Sequence, residues 1–187
     1  MKKILIPFLV FATIIACKKN EKVTDAENQP SDSNSTITET IDNKKDNIIP
    51  EYDIQQIAEL INTKNDTLYV TNFFATWCGP CLREMPHFTK KIEELNGQPV
   101  KFTFISVDDK KDWDSKVQRF GDQFGVSDNI VLTDAMAFSS SFFNENFTVW
   151  DGSSIPFTMM RKGDKVNETV GMMSKNQLDE KISAMMR

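Results

Sequence analysis

Two cysteines separated by two residues, Cys78 and Cys81, have the spacing of a redox pair. Residues 67–75 before them are dense in β-branched and aromatic side chains, which predicts a buried strand, and residues 82–95 have helical character. The pair therefore lies where a strand enters a helix. The free N–H groups and partial positive charge of a helix N-terminus favour a thiolate at Cys78. This arrangement predicts thiol–disulfide exchange, with Cys78 as the nucleophile and Cys81 as the resolving thiol.

Two other roles compete for the same pair, a structural disulfide and half of a zinc site. A zinc site needs two further ligands, but the only other cysteine is Cys17 and the only histidine is His87. We therefore expect no metal there, and no cofactor besides the Cys78–Cys81 disulfide. The nine methionines suggest copper, which binds thioethers. Methionine is more often a filler of core gaps, which is the interpretation we favour.

The first residues have the pattern of an export signal. Lys2 and Lys3 precede an apolar run that is too short to span a bilayer core roughly 30 Å thick. Residues 14–17, Ile-Ile-Ala-Cys, resemble a bacterial lipobox. The resemblance implies that residues 1–16 are a lipoprotein signal peptide and that Cys17 is lipidated. An ordinary signal peptide with an incidental cysteine is the alternative.

The composition then divides the rest of the chain into two parts. Residues 17–50 are rich in charged and small polar side chains, and such a stretch cannot bury enough apolar surface to offset its ordering entropy. It predicts a disordered tether behind the lipid anchor, with a folded domain at residues 51–187. The net charge of −5, with no basic face, argues against nucleic acid as a partner.

Residues 70–86, VTNFFATWCGPCLREMP, resemble the active-site segment of the thioredoxin superfamily. More specifically, they resemble that of the TlpA/ResA-like extracytoplasmic thiol–disulfide oxidoreductases. Gly79 and Pro80 form the active-site loop of this motif, and Pro86 matches a proline that kinks the active-site helix. The resemblance implies an α/β thioredoxin-like fold, with a central mixed β-sheet flanked by helices. A peroxiredoxin is disfavoured because its Pro-x-x-x-Thr-x-x-Cys pattern is missing before Cys78.

A second match lies at residues 150–160, which resemble the loop that faces the cysteines in this superfamily. The resemblance implies that the Ile155–Pro156 bond is cis, and that the backbone of Ile155 pairs with the substrate chain as a short strand addition. An ordinary turn is the alternative. Trp77 is expected to shield the disulfide and border the substrate groove, with core packing as the competing interpretation.

The remaining pattern fits the same fold. Ile54, Ile57, Ala58 and Ile61 follow helical spacing, so the domain opens with a helix, whereas many TlpA-like chains open with a β-hairpin. Further elements are predicted as a strand at 100–107, an insertion at 111–150 between that strand and the cis-proline strand, a helix near 113–124 and a short strand near 130–132. Near the end of the chain, two strands are predicted at 157–161 and 166–170, joined by a turn at 162–164. A closing helix is predicted at 175–186, with Ser174 as its N-cap.

Glu84 is the candidate for proton transfer. Most thioredoxins carry an Asp six residues before the first cysteine, but this chain has Asn72, which cannot take up a proton. Some TlpA/ResA-like proteins carry a Glu three residues after the second cysteine, where Glu84 stands. An acid–base role at Cys81 requires a pKa raised towards the working pH. The alternative is a solvated helix glutamate, and His87 is interpreted as a helix-surface residue.

The direction of electron flow is predicted from the Gly79–Pro80 pair, which is that of reducing thioredoxins. The resemblance implies a lipid-anchored reductant of disulfides in exported proteins, for example apocytochrome c, in the bacterial cell envelope. Its electrons would come from a membrane thiol carrier of the DsbD/CcdA type. We expect a monomer, since no dimerisation segment is recognisable. A disulfide-forming oxidant, an isomerase and a non-catalytic binding lipoprotein are the alternatives.

Overall fold

The computed structural model describes residues 48–187. The predicted signal peptide 1–16, the lipidation site Cys17 and nearly all of the predicted tether lie outside the described residues. Within residues 48–187, no helix is long and apolar enough to cross a membrane.

One mixed sheet of five strands forms the centre of the described part. The strands are β1 (Leu68–Phe74), β2 (Val100–Ser106), β3 (Ile130–Leu132), β4 (Phe157–Lys162) and β5 (Lys165–Val170). Their spatial order is β3-β2-β1-β4-β5, with β1, β2 and β3 parallel and with β4 and β5 antiparallel to their neighbours. The strand before the cysteines, β1, is therefore central, which explains why six of its seven residues are buried.

Within residues 48–187, five α-helices flank the sheet: α1 (Ile54–Ile61), α2 (Gly79–Glu94), α3 (Gln118–Phe124), α4 (Ser140–Asn146) and α5 (Lys175–Met186). The first and last begin with capping boxes, formed by Asp53 with Gln56 and by Ser174 with Gln177. Each box satisfies backbone N–H groups that a helix start would otherwise leave unpaired. The predicted opening helix and closing helix are thereby confirmed.

Two hydrophobic clusters form the core, and β1 contributes alternate residues to each. Phe74 joins the cluster that holds Cys78 and Cys81, while Phe73 joins an aromatic cluster with Trp150 and Phe157. In an extended strand, successive side chains point to opposite faces of the sheet. Phe73 and Phe74, adjacent in sequence, therefore pack the central strand against both hydrophobic clusters.

The domain differs from the sequence-based expectations in three places. Its folded part includes Ile49, which is 7% exposed, and the Pro50 carbonyl accepts a bond from Leu132 N at 2.8 Å. The chain is therefore ordered before the predicted boundary at 51. The predicted helix near 113–124 exists, but its first five residues form a π turn. Helix α4 was not predicted, because its apolar residues adjoin in sequence and show no helical spacing.

Candidate active site

Cys78 and Cys81 form a disulfide between the end of β1 and the start of α2. Their sulfur atoms are 2.08 Å apart and their Cα atoms 5.3 Å apart. Cys78 retains 5% of its surface in contact with solvent, whereas Cys81 retains none. Cys78 is therefore the more accessible of the two cysteines.

The backbone around Cys78 explains its chemistry. Cys78 is the N-cap of α2, and its sulfur accepts a hydrogen bond from Cys81 N at 3.2 Å. Pro80 lies in the first turn, where the missing N–H of proline costs no helical bond. The free N–H groups and the positive end of the helix dipole face the sulfur, and both stabilise a thiolate. Pro86 lies inside the same helix, as predicted.

The Ile155–Pro156 peptide bond is cis, as predicted. Pro156 is buried, and its carbonyl accepts a bond at 2.8 Å from the N–H of Gly171, a residue with φ +88°. Ile155 lies just before β4, and no hydrogen bond to its N–H or carbonyl is found within residues 48–187. The backbone of Ile155 is thus unpaired, as strand addition by a peptide requires.

Trp77 is 68% exposed although it adjoins a buried disulfide. The alternative of core packing is therefore wrong. A large exposed aromatic side chain is a common feature of binding surfaces, because it offers much contact area for little conformational entropy.

Glu84 is buried to 1% exposure inside α2, so the alternative of a solvated helix glutamate is wrong. One carboxylate oxygen accepts a bond from Asn72 Nδ2 at 2.9 Å, and the other accepts from Met173 N at 2.9 Å. Burial raises the pKa of Glu84 to about 7, although these two bonds act in the opposite direction. Glu84 can therefore exchange a proton near neutral pH.

Asn72 connects this carboxylate to the cis-proline strand. Its amide nitrogen also donates to Thr158 Oγ1 at 3.0 Å, two residues after Pro156. Asn72 has no exposed surface, and its Oδ1 has no partner in the described part of the chain. Where an Asp would accept a proton, this Asn orients the carboxylate that can accept one.

Asp108 is a positioning residue that the sequence analysis did not identify. Its carboxylate is buried and accepts bonds from Thr76 N at 2.9 Å, Thr76 Oγ1 at 2.6 Å and Ser106 Oγ at 2.9 Å. The Asp108 carbonyl accepts from the Trp113 indole at 3.0 Å. Asp108 thus fixes the loop two residues before Cys78. The available signal was its place just after β2, because parallel strands end at the same edge of a sheet.

The remaining candidates from the sequence are His87 and the methionines. His87 is half-buried on α2, one helical turn beyond Glu84. Met159, Met160, Met173 and Met185 are core residues, in agreement with the packing interpretation. In residues 48–187, no group of three or more His, Cys, Asp or Glu side chains is arranged to hold a metal ion.

The sequence is similar to known thiol–disulfide proteins. ResA of Bacillus subtilis strain 168, named a thiol-disulfide oxidoreductase, is 26% identical over 125 residues, which cover 65% of this chain and 63% of ResA. ResA of Halalkalibacterium halodurans is 39% identical over 61 residues, 33% of each chain. Rabbit (Oryctolagus cuniculus) thioredoxin is 43% identical over 54 residues, 29% of this chain and 50% of the thioredoxin. The matches thus span from a third to 63% of the length of these relatives.

Solved structures show the same fold. A thiol:disulfide interchange protein of the thioredoxin family from Chlorobium tepidum TLS superposes with a TM-score of 0.55 at 22% identity, over 66% of this chain and 82% of that chain. A thioredoxin-related protein from Neisseria meningitidis serogroup B gives 0.50 at 25% identity, over 66% and 87%. The predicted thioredoxin-like fold is confirmed.

The family assignment follows from a match that covers most of the folded part. Residues 51–174, most of the described part, match the Redoxin family. With a Cys-x-x-Cys disulfide at the start of α2 and a cis-proline before β4, the chain belongs to the Redoxin family and has a thioredoxin-like fold.

Proposed function

We propose that this protein is a thiol–disulfide oxidoreductase that reduces disulfides in exported proteins. The observation that carries the proposal is the Cys78–Cys81 disulfide at the N-terminus of α2, with Cys78 as the accessible N-cap and Cys81 behind it. Membership of the Redoxin family and similarity to ResA proteins support it.

The reaction proceeds in two exchanges. The Cys78 thiolate attacks one sulfur of a substrate disulfide, that disulfide breaks, and the departing substrate sulfur takes up a proton. Cys81, as a thiolate, then attacks the Cys78 sulfur and releases the second substrate thiol. The substrate gains two electrons and two protons, and the Cys78–Cys81 disulfide is restored. A donor dithiol must reduce it before the next turnover.

Glu84 accepts the proton of the Cys81 thiol in this scheme. The carboxyl group lies one helical turn after Cys81 on the same helix and is buried with it. Because burial raises the pKa of Glu84 to about 7, the group is a stronger base than an exposed glutamate and can still lose its proton at neutral pH. A thiol buried in apolar surroundings needs such an acceptor.

The substrate chain docks across the cis-proline loop. The free backbone of Ile155 pairs with an extended segment of the substrate, Pro156 closes the floor of the groove and exposed Trp77 borders it. These contacts hold the substrate sulfur beside Cys78.

The direction of electron flow and the cellular location are proposed from the sequence. The Gly79–Pro80 pair favours a reductant, and thioredoxin, which shares it, has a potential near −270 mV. The lipobox-like segment favours a lipid anchor at Cys17, with the catalytic domain outside the cytoplasm. The expected monomer rests on the lack of a recognisable dimerisation segment in the sequence. Electrons would come from a membrane thiol carrier of the DsbD/CcdA type, and apocytochrome c is one candidate among exported substrates.

The reduction potential of the Cys78–Cys81 pair tests the direction. The full chain is equilibrated with dithiothreitol and glutathione buffers, and the two redox forms are quantified by thiol alkylation. A reductant is expected at or below about −250 mV, whereas a value near −120 mV would identify a disulfide-forming oxidant. A protein whose cysteine pair exchanges with neither buffer would be a binding module instead.

A further inference from the structure

A cavity of about 340 Å³ adjoins the cis-proline loop. Ser153 and Ser154 line it on one side, with Val149 and Val170, which are 62% and 46% exposed. Ser154 is two residues before Pro156, and two residues of extended chain span at most about 7 Å. The cavity is therefore next to the loop on which the proposed substrate docks.

Ile155 lies between the core cluster of the cysteines and the segment that lines the cavity. Ile155 packs against the core cluster that contains both cysteines and also against the aromatic cluster that contains Trp150. On the other side, Val170 pairs with Phe157 and is followed by Gly171, which donates to the Pro156 carbonyl. A substrate chain that pairs with the backbone of Ile155 thus places residues near Cys78 in one direction along its length. In the other direction it places residues near the cavity.

The walls of the cavity are held by long-range contacts. The Glu168 carboxylate accepts bonds from Thr148 N at 3.0 Å and Val149 N at 2.8 Å, and the Trp150 indole donates to Ser154 O at 2.7 Å. Gly152 has φ +82°, and a Cβ there would lie 2.2 Å from the Phe143 ring. The turn around Gly152 is therefore fixed against Phe143, and a preformed site loses little entropy when a ligand binds.

The charge on the cavity is negative. Asp151 is its only ionisable lining residue, and it forms no ion pair with a Lys or Arg in the described residues. Hydrogen bonds from Ser153 lower the pKa of Asp151, so the group is ionised at neutral pH. An aliphatic wall beside one carboxylate that lacks an ion-pair partner in residues 48–187 matches the methylene stem and charged head of a Lys or Arg side chain.

We propose that this cavity is a specificity subsite for a Lys or Arg side chain of the substrate polypeptide, close in sequence to the cysteine that Cys78 attacks. The stem lies against Val149 and Val170, and the charged group reaches Asp151. This inference rests on the proposed function, and it adds the substrate class: exported chains with a basic residue near their disulfide.

A peptide series tests the subsite. Each peptide carries one cysteine as its mixed disulfide with 5-thio-2-nitrobenzoate, and Lys, Leu or Glu is placed in turn at each of four positions on either side. Reduced full-length protein is mixed with each peptide at low and high salt, and release of the coloured thiol gives the second-order rate constant. At one position, Lys is expected to exceed Glu and Leu by about fivefold at low salt, and the preference shrinks at high salt.

Two substitutions and one control locate the effect. Asp151→Asn removes the preference for Lys, and Asp151→Lys turns it towards Glu. Asp164→Asn, in the turn between β4 and β5, removes another exposed carboxylate and leaves the preference unchanged. Equal rates for Lys, Leu and Glu at every position, or a preference that survives Asp151→Lys, overturns the subsite. If reduced protein releases the coloured thiol from no peptide, the proposed function itself fails.

Discussion

At the residue scale, the proposed chemistry depends on a carboxyl group, that of Glu84, which the fold keeps away from water. Glu84 accepts bonds from Asn72, on the central strand, and from Met173, in the segment before α5. Both donors favour the ionised carboxylate, but burial outweighs them and raises its pKa to about 7. The same Asn72 amide reaches Thr158 behind the cis-proline. The proposed proton acceptor and the proposed substrate loop are therefore joined by hydrogen bonds.

The substitution Glu84→Gln tests the role of this residue as proton acceptor. The amide side chain keeps the size and one acceptor oxygen but cannot take up a proton, so resolution of the mixed disulfide by Cys81 should slow by about 100-fold at pH 8. In the native protein, this rate should rise with pH through about 7 as Glu84 ionises. Stopped-flow measurement of single turnovers from pH 5 to 9 gives both quantities.

The matched control is His87→Gln, on the same helix and half-buried. It should leave the pH profile of the resolution rate unchanged. A Glu84→Gln protein with the native rate and the native profile would mean that another group accepts the proton.

At the element scale, α2 and α5 are linked by charge as well as by packing. Lys91 on α2 lies 2.7 Å from Asp179 on α5 and also pairs with Glu94, while Lys175 contacts Asp179 at 2.5 Å. The two lysines lower the pKa of Asp179 to about 2, with the Lys175 bond as the largest cause. Because α2 begins at the Cys78 cap and contains Cys81 and Glu84, this link helps to hold the active-site helix against the closing helix.

Replacement of Asp179 by Asn should lower the free energy of unfolding by about 1 kcal/mol at pH 6. A carboxylate whose folded pKa is lowered stabilises the fold above its unfolded pKa of 3.8, and this contribution is lost as the pH falls to about 2. The difference between the two proteins should therefore disappear near pH 2. Urea unfolding at several pH values measures it.

Asp164→Asn provides the control, because Asp164 pairs with Lys64 but its side chain is 91% exposed. Its effect on stability should be near zero at every pH. If Asp179→Asn behaves like Asp164→Asn, the link between the helices contributes no stability.

At the scale of the whole molecule, the buried Glu84 costs stability at neutral pH. The pKa of Glu84 is about 7 in the folded protein and 4.5 for an unperturbed glutamate, which represents the unfolded chain. The folded state therefore holds the proton more tightly than the unfolded state does. The free energy of unfolding is therefore highest below about pH 4.5 and falls as the pH rises to 7. Active-site groups commonly carry such a cost, because the burial that tunes the pKa also disfavours the charge.

The free energy of unfolding of the oxidised protein should fall by roughly 3 kcal/mol between pH 4.5 and pH 8 because of this one group. Glu84→Gln should remove most of that dependence and be the more stable protein at pH 8. Urea unfolding of both oxidised proteins across this range measures it. Glu180→Gln, at an exposed position of α5, is the control and should keep the native dependence. A native slope in Glu84→Gln would contradict the assignment.

Local patterns determined the parts of the molecule that depend on near neighbours in sequence. The buried strand before Cys78, the Ser174 cap of the closing helix and the short strand at Ile130–Leu132 were all predicted and are present. The Cys-x-x-Cys spacing was enough to place a disulfide at a helix start, because three residues of helix bring both sulfurs to one end. The cis bond at Pro156 followed from resemblance rather than from spacing.

Only the tertiary structure decided the features that depend on distant residues. The burial of Glu84 requires Met173, 89 positions away, and the loop before Cys78 is fixed by Asp108, 32 positions from Thr76. The exposure of Trp77 and the cavity at Asp151 likewise arise where separate segments meet. Desolvation and hydrogen bonding across the fold set these properties. The sequence by itself therefore identified the redox pair, and the folded chain decided the burial and raised pKa of Glu84 and the shape of the surface beside the cis-proline loop.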